Sequence, residues 1–98
     1  MLDKETAANI VKEYITREIP VSGDEMVIIH ERTIEKQWGW VFFYQGKRWV
    51  ETNDRRYKIL GLYPIVIEKE DGTLNYLTLL KTIEESIQAY EEKRKLTS

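Results

Sequence analysis

The stretch Trp38-Gly39-Trp40-Val41-Phe42-Phe43-Tyr44-Gln45-Gly46-Lys47-Arg48-Trp49-Val50-Glu51-Thr52 holds all three tryptophans and both phenylalanines of the chain. Trp40 to Tyr44 is a run of β-forming residues without a polar interruption, the pattern of a strand buried on both faces. Alternation places Trp38, Trp40, Phe42 and Tyr44 on one face and Val41 and Phe43 on the other. A strand of this kind needs neighbours on both edges and cover above and below. The rest of the sequence is read for what supplies them.

Upstream, Met26 to Ile29 is apolar and His30 to Lys36 alternates, which predicts one long strand reversing at Gln37 to Gly39 into the aromatic strand. Downstream, Gln45-Gly46 reads as a two-residue hairpin turn and Lys47 to Glu51 as the returning strand. Thr52 to Lys58 is polar and reads as a surface loop or short irregular helix. Tyr63 to Glu68 is a strand with Pro64 near its start, Glu70-Asp71-Gly72-Thr73 a hairpin turn, and Leu74 to Leu79 the return.

Two helices flank these strands. Ala7, Ile10, Val11, Tyr14 and Ile15 share one helical face, with Asp3 as N-cap, Glu13 and Arg17 as an i, i+4 pair, and Pro20 as the stop. Thr82 and Glu85 fit a capping box, and Ile83, Ile87 and Tyr90 form the buried stripe of the last helix. The fold class is therefore α+β: a single domain over residues 1–98, an antiparallel sheet of about five strands, with N-terminal and C-terminal helices packed on it.

Composition narrows the function. A chain of 98 residues that is 42% hydrophobic and 33% charged lacks the signature of disorder and buries roughly 65% of its unfolded surface, enough for a core without staples. Without cysteine there is no disulfide, thiolate metal site or cysteine nucleophile. Acids in the first residues, where a secretory signal is basic and then apolar, and the lack of an 18-residue apolar run predict a cytoplasmic protein with no membrane partner.

The net charge of −2 is the wrong sign for a phosphate-backbone binder, so nucleic acid is not an expected partner. Charge is uneven, however. Gln45 to Lys58 carries five bases against two acids and is +3, which leaves −5 on the remainder. The lone histidine, His30, has no nucleophile or partner near it in sequence, and Ser22, Ser86 and Ser98 have no elbow motif around them. Gly46 and Gly61 are isolated, and Glu68, Glu70 and Asp71 lack the ligand alternation of a calcium loop. No catalytic set, metal site or cofactor site is read.

Aromatic residues beside bases are what protein interfaces use at their centres. The candidate partner-binding residues are Arg48, Trp49, Glu51, Asp54, Arg55, Arg56 and Tyr57, and Trp49, Tyr57 and Arg48 lie outside the continuous apolar run.

Gly39-Trp40-Val41-Phe42-Phe43-Tyr44, then Lys47, Glu51-Thr52, Pro64-Ile65-Val66-Ile67 and Asp71-Gly72, resemble the immunity protein 35 family, small bacterial proteins encoded beside polymorphic toxins. Two departures are Asn53-Asp54, where the family often has Gly-Asp, and Leu79-Leu80-Lys81, where it often has a Gly-Thr-Ala-like turn. The resemblance implies a non-catalytic protein that binds and neutralises a cognate toxin by direct contact. It leaves open the toxin's activity, the contact face, the oligomeric state, and whether the acidic Glu68 to Asp71 turn and terminal helix or the basic Arg48, Arg55 and Arg56 steer binding. A non-catalytic interaction subunit or chaperone-like protein using the aromatic sheet is the alternative.

Overall fold

The computed structural model describes residues 1–97; Ser98 lies outside the described residues. Helix α1 (Lys4–Glu18) begins where the Asp3 carboxylate accepts from the Thr6 amide at 2.8 Å. Its face is the expected one, with Ala7, Val11 and Ile15 fully buried. The expected Glu13–Arg17 pair is replaced by Arg17 with its neighbour Glu18 at 3.1 Å, both exposed, so the contact adds little.

The aromatic strand is two strands. β3 (Gly39–Phe42) and β4 (Tyr44–Gly46) are divided at Phe43, and the strand before them divides in step into β1 (Met26–Ile28) and β2 (Ile34–Lys36). Ile28 pairs with Tyr44 and Ile34 with Val41, so six steps along one partner match three along the other. A 3-10 turn, His30–Arg32, takes up the difference of three residues. Local pattern could not show this, because each half satisfies strand alternation by itself.

The predicted hairpin at Gln45-Gly46 and the return strand from Lys47 to Glu51 are corrected. Gln45 and Gly46 lie in β4, and Lys47–Thr52 is the helix α2. The buried Gln45 amide explains the difference. Its Oε1 accepts from the Ile59 amide at 2.8 Å and the Gly46 amide at 3.0 Å, and its Nε2 donates to the Ile59 carbonyl at 2.9 Å. Gly46 has an ordinary φ of −63°. Its lack of a side chain matters for space, because a Cβ there would meet Asp24 Oδ2 at 2.6 Å. The Asp24 carboxylate in turn accepts from the Arg48 amide at 3.3 Å, and Asn53 closes α2 in the left-handed region at φ 57°.

The main sheet is antiparallel in the order β2-β3-β5-β6, with β5 Ile65–Glu68 and β6 Leu74–Tyr76, and β1 and β4 form a separate two-stranded sheet. The polypeptide is α+β among the described residues, with α3 (Ile83–Thr97) as the last element. Trp40, Phe42, Ile65 and Ile67 bury one face of the main sheet with Val11 and Ile15 of α1. Val41, Phe43, Val66 and Leu77 bury the other with Ile87 of α3. The helices thus cover opposite faces.

Trp38 departs from the expected alternation. It lies in the turn before β3, where strand geometry does not govern it, and packs on Tyr90 with ring centroids 5.1 Å apart.

Gly39 is buried and pairs with Glu68 across β3 and β5, and a Cβ on it would collide with the Ile67 carbonyl oxygen. Since backbone must move to make room, Gly39→Ala is expected to destabilise the protein by about 3 kcal/mol, the upper end of overpacking costs. Urea denaturation checks this, and a loss of under about 1 kcal/mol would show that the strands separate freely there.

Candidate functional site

β4 delivers the chain into α2, and the Gln45 amide fastens residue 59 beside it, so one end of the molecule is built from α2, the 55–64 segment and the 3-10 turn at His30. Most of the sequence-derived candidates meet there. The Asp54 carboxylate accepts from the Arg56 amide at 3.0 Å and from Arg56 Nη2 at 2.6 Å. Hydrogen bonds from the Arg56 side chain and amide hold the Asp54 carboxyl below its usual range, and the side-chain bond to Asp54 pushes the Arg56 guanidinium up. This pair largely neutralises itself.

Tyr57 lies beneath two guanidinium groups, Arg48 at 5.5 Å and Arg56 at 5.8 Å from its ring centroid. Trp49 is half-buried under the Lys58 ammonium at 5.4 Å. Glu51 and Arg55 are exposed on the same elements. Arg48, Arg56 and Asp54 are thus joined around Tyr57, while Trp49 contacts Lys58 and Glu51 and Arg55 are simply exposed on the same elements.

Sequence reading missed what adjoins this surface. A cleft of about 340 Å³ opens between α2 and the 58–64 segment, lined by Phe43, Trp49, Tyr63, Leu79, Arg32 and Lys58 among others. Leu60 beside it is 82% exposed, Tyr63 52% and Leu79 40%, and these three are far apart in sequence from Phe43. Arg32 lies over the Phe43 ring at 4.3 Å. The one available signal was Lys58, which ends the basic segment. Arg32 reaches the cleft only because the strand breaks at His30.

The acidic end is differently disposed. Both Glu68 oxygens accept from Arg94, at 2.8 to 3.1 Å, and one accepts from the Tyr90 hydroxyl at 2.6 Å. Glu35 pairs with Lys69 at 3.0 Å, which holds its carboxyl below the usual range. Asp71 Oδ1 accepts from the Thr73 amide at 3.0 Å, as a turn carboxylate does. His30 is exposed. Among the described residues no group of three or more His, Cys, Asp or Glu side chains is placed to hold a metal ion, and no helix is long and apolar enough to cross a membrane.

Buried Tyr44 and partly buried Tyr90 give a pH test of this frame. Burial pushes the Tyr44 hydroxyl from 10.0 to about 12, with Tyr14 nearby adding to it. Burial, and then the hydrogen bond to Glu68, push Tyr90 from 10.0 to about 12. Folding favours the neutral phenols, so their contribution is complete below pH 10 and is lost as pH rises toward about 12. Thermal melts followed by circular dichroism are expected to hold steady up to pH 10 in this respect and fall above it; an unchanged melting temperature across that window would contradict these environments for the two hydroxyls.

The sequence model of the family described as Immunity protein 35 matches residues 5–91, from α1 well into α3. The chain belongs to the immunity protein 35 family. The whole of α2, the 58–64 segment and the seven candidate residues fall within the matched region of this immunity protein 35 chain. It is also similar to the uncharacterized protein YrhB of Escherichia coli strain K12, with 34% identity over 56 residues, 57% of this chain. The match spans 60% of the length of YrhB. No solved structure matches the chain significantly.

Proposed function

We propose that this immunity protein 35 chain binds a cognate bacterial toxin domain in the cytoplasm and neutralises it by direct protein–protein contact, without chemistry of its own. The observation that carries this reading is the family match over residues 5–91. The surface on α2 supports it physically. Its aromatic rings are fixed by packing and by cations lying over them, so little ordering entropy is lost when a partner arrives. Arg48, Trp49, Glu51, Asp54, Arg55, Arg56 and Tyr57 are the proposed contact residues, with Trp49 as the desolvated anchor and the surrounding charges setting the rate of encounter.

The test is calorimetric titration of the purified chain with the toxin domain encoded beside it, together with an assay of that domain's activity. The expected result is a saturable complex whose occupancy tracks the loss of activity. A complex that leaves activity intact, or no complex, would remove the neutralising role.

The exposed Leu60, Tyr63, Leu79 and Leu80 side chains favour a second reading, a non-catalytic interaction subunit or chaperone-like protein of loose specificity. The aromatic sheet is covered on both faces, so that role also falls to exposed surface. Retention of several unrelated unfolded proteins, with no preference for the toxin domain, would favour it.

A further inference from the structure

We infer that the cleft between α2 and the 58–64 segment seats an acidic segment of the toxin domain, one that carries an apolar side chain between its carboxylates. This rests on the toxin-binding reading and names the chemistry of the partner. Three features of the cleft lead to it.

The first is shape. Its volume of about 340 Å³ lies near the lower end of the roughly 300–1,000 Å³ of ligand pockets, which suits an inserted side chain rather than a whole helix. Phe43, Trp49, Tyr63 and Leu79 offer apolar walls to such an anchor.

The second is charge. The charged residues among those that line the cleft are Arg32 and Lys58, both cationic. Each is held over an aromatic face, Arg32 on Phe43 at 4.3 Å and Lys58 on Trp49 at 5.4 Å. Neither takes part in an ion pair among the described residues. Two cations at the mouth of an apolar cleft, each with one side turned to a ring instead of water, are complementary to carboxylates that flank an apolar residue.

The third is the use of the neighbouring acids. Asp24 caps the first turn of α2, Asp54 is bound to Arg56, and Glu25 lies 3.9 Å from Lys47. Glu31 and Glu51 are exposed and do not line the cleft. At the opposite end Glu68 of the acidic turn is already paired with Arg94, and Glu35 of β2 with Lys69, which leaves Glu70 and Asp71 as the exposed acids of that turn. Nucleic acid fits less well, because the chain's net charge of −2 repels phosphates away from this short cationic mouth.

The test titrates the toxin domain encoded beside this chain into the wild type, Arg32→Glu, Lys58→Glu and Glu70→Lys at low and moderate salt. Arg32, Lys58 and Glu70 are exposed, and circular dichroism melts verify that each variant folds. Each cleft reversal is expected to weaken binding by roughly tenfold or more and to flatten its salt dependence, while Glu70→Lys binds as the wild type does. Wild-type binding that both cleft reversals leave unchanged would overturn the placement while the toxin-binding reading stands. Failure of the wild type to bind would overturn both. A mixed-sequence single-stranded oligonucleotide that competes for the cleft, and is released by the same reversals, would also overturn the assignment.

Discussion

Trp40→Ala is expected to destabilise the protein by about 3–5 kcal/mol. A domain of this size has about 5–15 kcal/mol in total, so this is a large share of what holds it folded. Trp40 is 2% exposed and lies in β3, between β2 and β5, where it pairs with Glu35 on one side and Ile67 on the other. Its ring fills the layer between the main sheet and α1, and the Lys69 ammonium covers it at 5.1 Å. Truncation leaves a cavity bounded by β-sheet backbone, which cannot collapse, and by Val11 and Ile15 of a helix already docked. Urea denaturation monitored by far-ultraviolet circular dichroism measures the loss. A cost below about 1 kcal/mol would mean that α1 is not held through this residue.

Trp49→Ala is expected to separate binding from folding in the opposite way. Trp49 is half-buried on a six-residue helix whose side chains include none that is fully buried, so the sheet and its two covering helices do not depend on it. It is, however, the residue shared by the α2 surface and the cleft, with Lys58 resting on its ring. An anchor of this type is worth about 2–4 kcal/mol at an interface, which is roughly 30-fold to 1,000-fold in affinity for the toxin domain. The thermal melt is expected to shift little. Affinity within about twofold of the wild type would place the anchor elsewhere, and unfolding of the variant would show that α2 belongs to the core.

The comparison of these two tryptophans also explains what could be read from the sequence. The face of α1, the turn before Gly72, the Thr82 cap and the division of Trp40 and Phe42 from Val41 and Phe43 all follow from local spacing, and local spacing decided them. The break at Phe43 did not, because it is set by a three-residue change of register against the preceding strand. Gln45 to Glu51 reads as a turn and a strand because Gln-Gly resembles a hairpin. The deciding contact, the Gln45 amide against the Ile59 backbone, joins residues 14 apart.

The site was legible to the same extent. Arg48, Trp49, Arg56 and Tyr57 lie close in sequence and stand out there as a group. Arg32, Phe43, Tyr63 and Leu79 come together only after the sheet divides, and no periodicity marks an arginine in a 3-10 turn as the neighbour of a leucine that follows β6. The unequal state of the two charged ends was also hidden. Composition counts Glu68 as an acid, whereas folding commits it to Arg94 and Tyr90.

Growth of a test bacterium that expresses the neighbouring toxin domain, with and without this chain, tests the proposed function most directly. Neutralisation by contact predicts that the toxin domain alone arrests growth, that co-expression of this chain restores it, and that an unrelated immunity protein does not. Arrest that persists in the presence of this chain, folded and expressed at comparable levels, would contradict it.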